Sequence, residues 1–157
     1  MVALTSNNLT VRVYGLLIVN NAVLVSDEFR MGMLMTKFPG GGLEIGEGLH
    51  DCLKREWMEE LGLEIEIVSH FYTTDYYVKS AFDNRQLLSV YYLVNLKEND
   101  LPITDDSVIH EDNLKENFQR FRWIALQHLK PTDFTFEIDK KIALLLVEKI
   151  IGLKSID

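Results

Sequence analysis

Apolar residues between positions 10 and 25 alternate or run together, first as VRVYGLLIV and then as AVLV, around Asn20-Asn21. Asparagine tolerates the left-handed conformation that tight hairpin turns require, so this pattern predicts a β-hairpin. A shorter apolar stretch over 34–38 stops at Pro39-Gly40-Gly41-Gly42, a strong break that predicts a loop. From about Gly48 to Leu61 the spacing turns helical, and Gly62 stands where a helix C-cap belongs. Two runs rich in Tyr, Val, Ile and Phe follow, over 65–78 and 86–96, with Asp83-Asn84 supplying turn chemistry between them. The polar segment 101–117, which contains Pro102, predicts an exposed loop, and 121–125 one further strand. Pro131 and Thr132-Asp133 lead into a last helix over 137–151, stopped by Gly152. Its residues Ile138, Ile142, Leu145, Leu146 and Ile150 form a wide apolar stripe suited to covering a sheet. No internal repeat or linker interrupts the order strands, helix, strands, helix, which predicts a single α+β, or sandwich-like, domain over 1–157.

Composition changes this picture in two ways. With 157 residues, 47% of them hydrophobic and 25% charged, the chain is long enough for one substantial core. No apolar run approaches membrane-spanning length, the first ten residues lack the features of a secretion signal, and Cys52 is the only cysteine. The expectation is a soluble cytoplasmic protein with no membrane partner. Secondly, 16 basic against 24 acidic residues leave a formal charge of −8. That argues against a nucleic-acid polymer as partner, because such binding needs a basic surface to displace counterions. It leaves room for a small phosphorylated ligand, provided a cation stands between ligand and protein.

The chemistry concentrates in FPGGGLEIGEGLHDCLKREWMEELGLE, residues 38–64. Glu56, Glu59 and Glu60 at i, i+3 and i+4 place three carboxylates on one side of a helix. Taken alone, such a triplet is ordinarily a solvated acidic face. Its surroundings alter the balance. Leu49, Cys52 and Leu53 share the same arc of the helix, which would worsen the repulsion, and oxygen ligands suit a hard divalent cation such as Mg²⁺. Pro39-Gly40-Gly41-Gly42 removes side chains where a backbone would approach a phosphate or a metal. Glu47 lies near the helix start, where it also fits ordinary capping, and Arg55 comes two turns later, within reach of Glu47 or of an anionic substrate.

This stretch resembles the signature of the Nudix family, G-x5-E-x7-R-E-U-x-E-E-x-G-U, where U is a bulky hydrophobic residue. Gly41, Glu47, Arg55, Glu56, Trp57, Glu59, Glu60, Gly62 and Leu63 all stand at the family's spacing. At ordinary residue frequencies a chance match in a chain this short is on the order of one in ten million. Pro39, Gly40, Glu44 and Gly46 also look like the family's lead-in. Trp57 departs mildly, being larger than the usual aliphatic residue, with consequences for packing under the helix rather than for metal binding.

The resemblance implies an α/β/α sandwich with a mixed central sheet and an Mg²⁺-dependent (alternatively Mn²⁺-dependent) hydrolase that cuts a phosphoanhydride bond. The substrate would be a nucleoside diphosphate linked to another moiety, of ADP-ribose or nucleotide-sugar type, or a nucleoside triphosphate. The first class carries a slight preference because it is common among relatives. The proline that marks many ADP-ribose-cleaving relatives is nevertheless absent downstream of the box. By the same resemblance Glu56, Glu59 and Glu60, with the Gly40 carbonyl, would hold metal, and Glu56 could instead serve as base. Arg55 would hold Glu47 and orient the acids, while Gly41 and Gly62 would be structural. Relatives often add one acid from outside the box; Glu111, Asp112 and Glu116 are the candidates. A homodimer is also in keeping with the family.

Tyr72, Tyr76 and Tyr77 are candidates for stacking on a base, although aromatics on strands more often serve core and cross-strand packing. There is no Walker loop, dinucleotide fingerprint, zinc spacing or nucleophile motif, and Cys52 reads as a packing residue. The competing function is a non-catalytic nucleotide-sensing module of the same fold, and such modules typically carry eroded boxes. An acidic interaction helix on an unrelated α+β scaffold is the weaker third.

Overall fold

The computed structural model describes residues 7–98 and 100–152. Asn20 and Asn21 take φ values of 49° and 61°, the backbone of a two-residue hairpin turn. They join β1 (Leu9–Val19) to β2 (Ala22–Arg30), with Val19 opposite Ala22 and Ile18 opposite Val23. After β3 (Met33–Lys37) and β4 (Gly40–Gly42) comes α1 (Leu49–Leu61), followed by β5 (Ile65–Thr73), β6 (Gln86–Leu96), β7 (Phe118–Ala125) and α2 (Glu137–Leu146).

These elements form two compact units, each drawn from two separated stretches of chain: 7–16 with 40–98, and 17–39 with 101–152. In the first, β5 pairs antiparallel with β6, β6 neighbours β1, and β4 pairs antiparallel with β1. The amide at the start of β6, Gln86, donates to the Asn8 carbonyl just before β1 (2.8 Å), so these two neighbours run parallel and the sheet is mixed. Tyr14 of β1 stacks on Tyr91 of β6 at 5.0 Å, and the buried face of α1 consists of Cys52, Leu53 and Trp57. In the second unit β2 is central, flanked antiparallel by β3 and β7. Here Ile138, Ile142, Ala143 and Leu146 of α2 are buried, and Phe134 stacks on Phe38 at 4.5 Å.

The α+β order follows the sequence pattern, with several differences of extent. The glycine run expected to be loop pairs as β4: Gly40, Gly41 and Gly42 lie opposite Tyr14, Val13 and Arg12. Glycine contributes no side-chain signal to a strand pattern, although its backbone pairs as any other does. β5 ends at Thr73 rather than 78, because Thr74 binds Ser89 through both backbone and hydroxyl and Tyr72 donates to Asp75 Oδ1 at 2.7 Å. Such local side-chain bonds compete with a regular ladder. The 101–117 segment contains one 3-10 turn, Glu111–Asn113. Finally, α2 runs into a π-helical turn, Val147–Ile151, whose C-cap Gly152, the last described residue, keeps right-handed helical angles (φ −60°, ψ −34°). Leu145 and Ile150, expected in the apolar stripe, are only half-buried, and Ala143 takes part instead.

β2 also extends past the predicted hairpin to Arg30, carrying the buried residues Ser26, Asp27 and Glu28. Burial pushes the Asp27 carboxyl up, but hydrogen bonds from Arg122, Thr36 and Arg120 outweigh it and hold the group below the usual range. Its Oδ2 accepts Arg122 Nε at 2.8 Å and Arg120 Nε at 2.9 Å, and Oδ1 accepts Thr36 Oγ1 at 2.7 Å. On neighbouring positions Glu28 Oε1 accepts Lys37 Nζ and Gln119 Nε2, each at 3.0 Å. Each charge entering this interior comes with its partner, as desolvation demands.

Candidate active site

Helix α1 begins after Gly48 and ends at Gly62, whose φ of 66° is the left-handed cap conformation and whose amide donates to the Met58 carbonyl at 3.0 Å. Along it Arg55 sits at the centre of an ionic cluster. Its Nε and Nη2 hold both oxygens of Glu47, at 3.0 and 2.6 Å, a bidentate pair. Nη2 also donates to the Gly42 carbonyl at 3.0 Å, while Nη1 donates to Glu56 Oε1 at 2.9 Å and Glu59 Oε2 at 3.3 Å. Glu47 Oε1 further accepts the Glu44 amide at 2.9 Å, so the loop between β4 and α1 closes on the same arginine.

The electrostatics follow from these contacts. The Arg55 guanidinium, with help from the Glu44 amide, holds the Glu47 carboxyl down at about 2. Arg55 in turn is raised above its already high range, chiefly by Glu47. Cys52, buried beneath the cluster, has its thiol pushed up to about 12 by burial and by the charges of Glu47 and Glu56. The expectation that it packs rather than reacts therefore agrees with its surroundings. The thiol also donates to the Gly42 carbonyl at 3.4 Å, a contact that sequence reasoning did not foresee.

Gly41 fixes how closely β4 approaches the helix. A Cβ added at Gly41 would fall on the carboxylate of Glu56, and one at Gly40 (φ 151°) would run into the Val13 carbonyl. The missing side chain of Gly41 is thus the space in which the Glu56 carboxylate lies. A hard cation suits this donor set: three glutamates on one helix arc, oxygen donors only, and a glycine cradle that leaves backbone beside them. Among the described residues no three His, Cys, Asp or Glu side chains stand gathered as a ready cage, and Glu56 and Glu59 lean on Arg55 instead.

The site residues expected from the sequence divide between the two units. Gly40, Gly41, Glu47, Arg55, Glu56, Glu59, Glu60 and Gly62 belong to the first, as do Tyr72, Tyr76 and Tyr77, of which Tyr77 is the most exposed. Glu111, Asp112 and Glu116 belong to the second; all three are exposed, and Glu116 Oε1 already accepts the Met31 amide at 2.7 Å. Two features close to this site were missed, the Gly42 carbonyl as acceptor for Arg55 and Cys52, and Gly15. An isolated glycine in a strand marks a close approach of backbone to something else, and at Gly15 that something is the Trp57 indole.

Comparison with known proteins agrees with this geometry. The family model described as "NUDIX domain" matches residues 9–145. The chain belongs to the Nudix family and is a Nudix pyrophosphohydrolase. It is 28% identical over 110 residues to the nucleoside triphosphatase NudI of Escherichia fergusonii, covering 67% of this chain and 72% of that one. Its fold is similar to that of a Nudix hydrolase from Nitrosomonas europaea (TM-score 0.64, 17% identity, 87% and 86% of the two chains). The fold is also similar to that of an ADP-ribose pyrophosphatase from Streptococcus suis (TM-score 0.58, 18% identity, 88% and 90%).

Proposed function

We propose that the chain hydrolyses the phosphoanhydride of a nucleoside triphosphate with Mg²⁺, with Mn²⁺ as a substitute, and that Glu56, Glu59, Glu60 and the Gly40 carbonyl hold the metal. The observation that carries this reading is the Glu56 carboxylate lying in the space left by Gly41, beside a helix arc of carboxylates. Nucleoside triphosphates come ahead of linked diphosphates because the relative with sequence identity across 72% of its length is a nucleoside triphosphatase. This reverses the slight preference drawn from the family at large.

The chain's own residues divide the work. The bidentate grip of Arg55 on Glu47 ties the β4–α1 loop to the helix and fixes the direction of the acidic row. Arg55 also takes Oε1 of Glu56, which leaves Oε2 as the atom that Glu56 would offer to the metal or, serving as base instead of ligand, to the proton of the attacking water. When bound, Mg²⁺ would neutralise phosphate oxygens and lower the pKa of its water, a positive charge that the acidic row of α1 does not itself supply. Tyr72, Tyr76 and Tyr77 are the stacking surfaces offered to a base, and Glu111, Asp112 and Glu116 remain the acids outside the box.

The test is a panel of nucleoside triphosphates, ADP-ribose and nucleotide sugars, incubated with Mg²⁺ and followed by product analysis. The expected result is cleavage of a triphosphate, with Glu56→Gln and Glu60→Gln each at least about 100-fold slower. Cleavage of linked diphosphates alone would reverse the substrate class, and full activity in both variants would remove these glutamates from the site.

A further inference from the structure

We infer that Gly15 and Trp57 form a size-matched positioning pair that sets the depth of α1 against β1, and through it the place of the Glu56 carboxylate. The inference rests on the hydrolase reading of the α1 site. Trp57 follows Glu56 directly, is fully buried, and is one of the largest side chains wholly within the protein. The surface it meets on β1 is bare backbone. A Cβ added at Gly15 would stand 2.8 Å from the indole Nε1, 2.9 Å from Cζ2 and 3.0 Å from Cε2, closer than packed atoms tolerate.

The indole is used here for bulk and not for polarity. Its Nε1 is buried and has no hydrogen-bond partner among the described residues. An aliphatic residue would fill less space without leaving such a donor unsatisfied. Trp57 is the bulkiest of the fully buried side chains among the described residues, and the missing side chain of Gly15 leaves room for it.

The same strand carries the other half of the site. Next to Gly15, Tyr14 lies opposite Gly40 and Val13 lies opposite Gly41, so β1 holds β4 in register. Helix α1 therefore meets this sheet at two neighbouring glycines: Trp57 against Gly15 and the Glu56 carboxylate against Gly41. Adjacent residues of one helix cannot move independently by more than a small torsional adjustment. Pushing Trp57 off Gly15 lifts Glu56 from its cradle. Trp57 and Gly15 are accordingly positioning residues, acting through Glu56.

The experiment compares wild type, Gly15→Ala, Trp57→Leu and the double variant Gly15→Ala/Trp57→Leu, with Trp57→Phe as a milder change. Two quantities are read: Mn²⁺ affinity by titration, and kcat and KM for whichever substrate the wild type hydrolyses. Displacing a reacting group by a fraction of an ångström to 1 Å costs up to about 100-fold in rate, so Gly15→Ala is expected to lose about 10- to 100-fold in kcat. With metal saturating, KM for the nucleotide should stay within about twofold, since binding shared by ground and transition states is untouched. Mn²⁺ affinity should fall in the same variant. In the double variant the smaller leucine makes room for the new methyl, and both kcat and Mn²⁺ affinity should recover most of what Gly15→Ala lost. Unchanged Mn²⁺ affinity and kcat in Gly15→Ala would overturn the pairing, as would a double variant no better than Gly15→Ala. If Gly15→Ala fails to fold, a folded double variant with near wild-type Mn²⁺ affinity supports the pair and an unfolded one overturns it. A wild type that hydrolyses nothing would defeat the hydrolase reading instead, while the Mn²⁺ titration would still decide the pair.

Discussion

Arg55 shows what a single side chain contributes to this site. A guanidinium offers five donors in a rigid plane, and here they reach Glu47, Glu56, Glu59 and the Gly42 carbonyl. Lysine has one nitrogen and could not hold these directions at once. The pairing leaves a pH signature. The folded-state value of Glu47, about 2, lies below its ordinary 4.5, so its contribution to stability is fully present above 4.5 and is lost as pH falls toward 2. The difference in Tm between wild type and Glu47→Gln should therefore be constant from pH 5 to 8 and shrink below about 4.5. Thermal melts across that range check it; a difference that grows on acidification would show that the pair has been assigned the wrong sign. The partnership of Glu47 and Arg55 was one of two readings that the sequence left open, with an anionic substrate as the other, and only the family resemblance favoured it. The second acceptor for Arg55, a backbone carbonyl at Gly42, was not legible, because a carbonyl belongs to every residue and no pattern marks the one that will be used.

At the scale of elements, the helix and its ends were readable for local reasons. Gly62 is a left-handed cap, and the apolar positions Cys52, Leu53 and Trp57 recur at helical spacing. The hairpin was readable because two successive asparagines accept positive φ. By contrast β4 was not, since three glycines give no alternation of side chains, and only the β1 register of Arg12, Val13 and Tyr14 identifies it as strand. The same absence of side chains is what the site uses. Gly41→Ala would place a methyl on the Glu56 carboxylate, and activity is expected to fall about 100-fold. The overpacking should cost about 1–3 kcal/mol of stability. Steady-state assay with a denaturant titration measures both; an alanine variant with unaltered kcat would mean that the close approach of β4 to α1 plays no part in the reaction.

For the molecule as a whole, the family match makes the chain a Nudix pyrophosphohydrolase, and its acidic balance supports the proposal that the reaction uses a cation. Membership of the Nudix family was legible from nine residues at fixed spacing, and the family match over 9–145 extends it to most of the chain. What stayed hidden was the buried ionic layer around Asp27 and Glu28. Its partners Thr36, Lys37, Gln119, Arg120 and Arg122 lie up to 95 residues away in the chain, and each alone looks like a surface residue. Pairing across strands β2, β3 and β7 brings them together, and nothing local announces it. The substrate was hidden for a similar reason, since the box determines the bond to be cut and not the molecule that carries it. The central claim is that the carboxylates of α1 are metal ligands rather than a solvated face. Mn²⁺ titration of the wild type beside Glu59→Gln/Glu60→Gln tests it most directly. The account predicts a loss of affinity of at least about tenfold in the double variant, because charge count governs the binding of a hard cation. Equal affinity in the two proteins would contradict it.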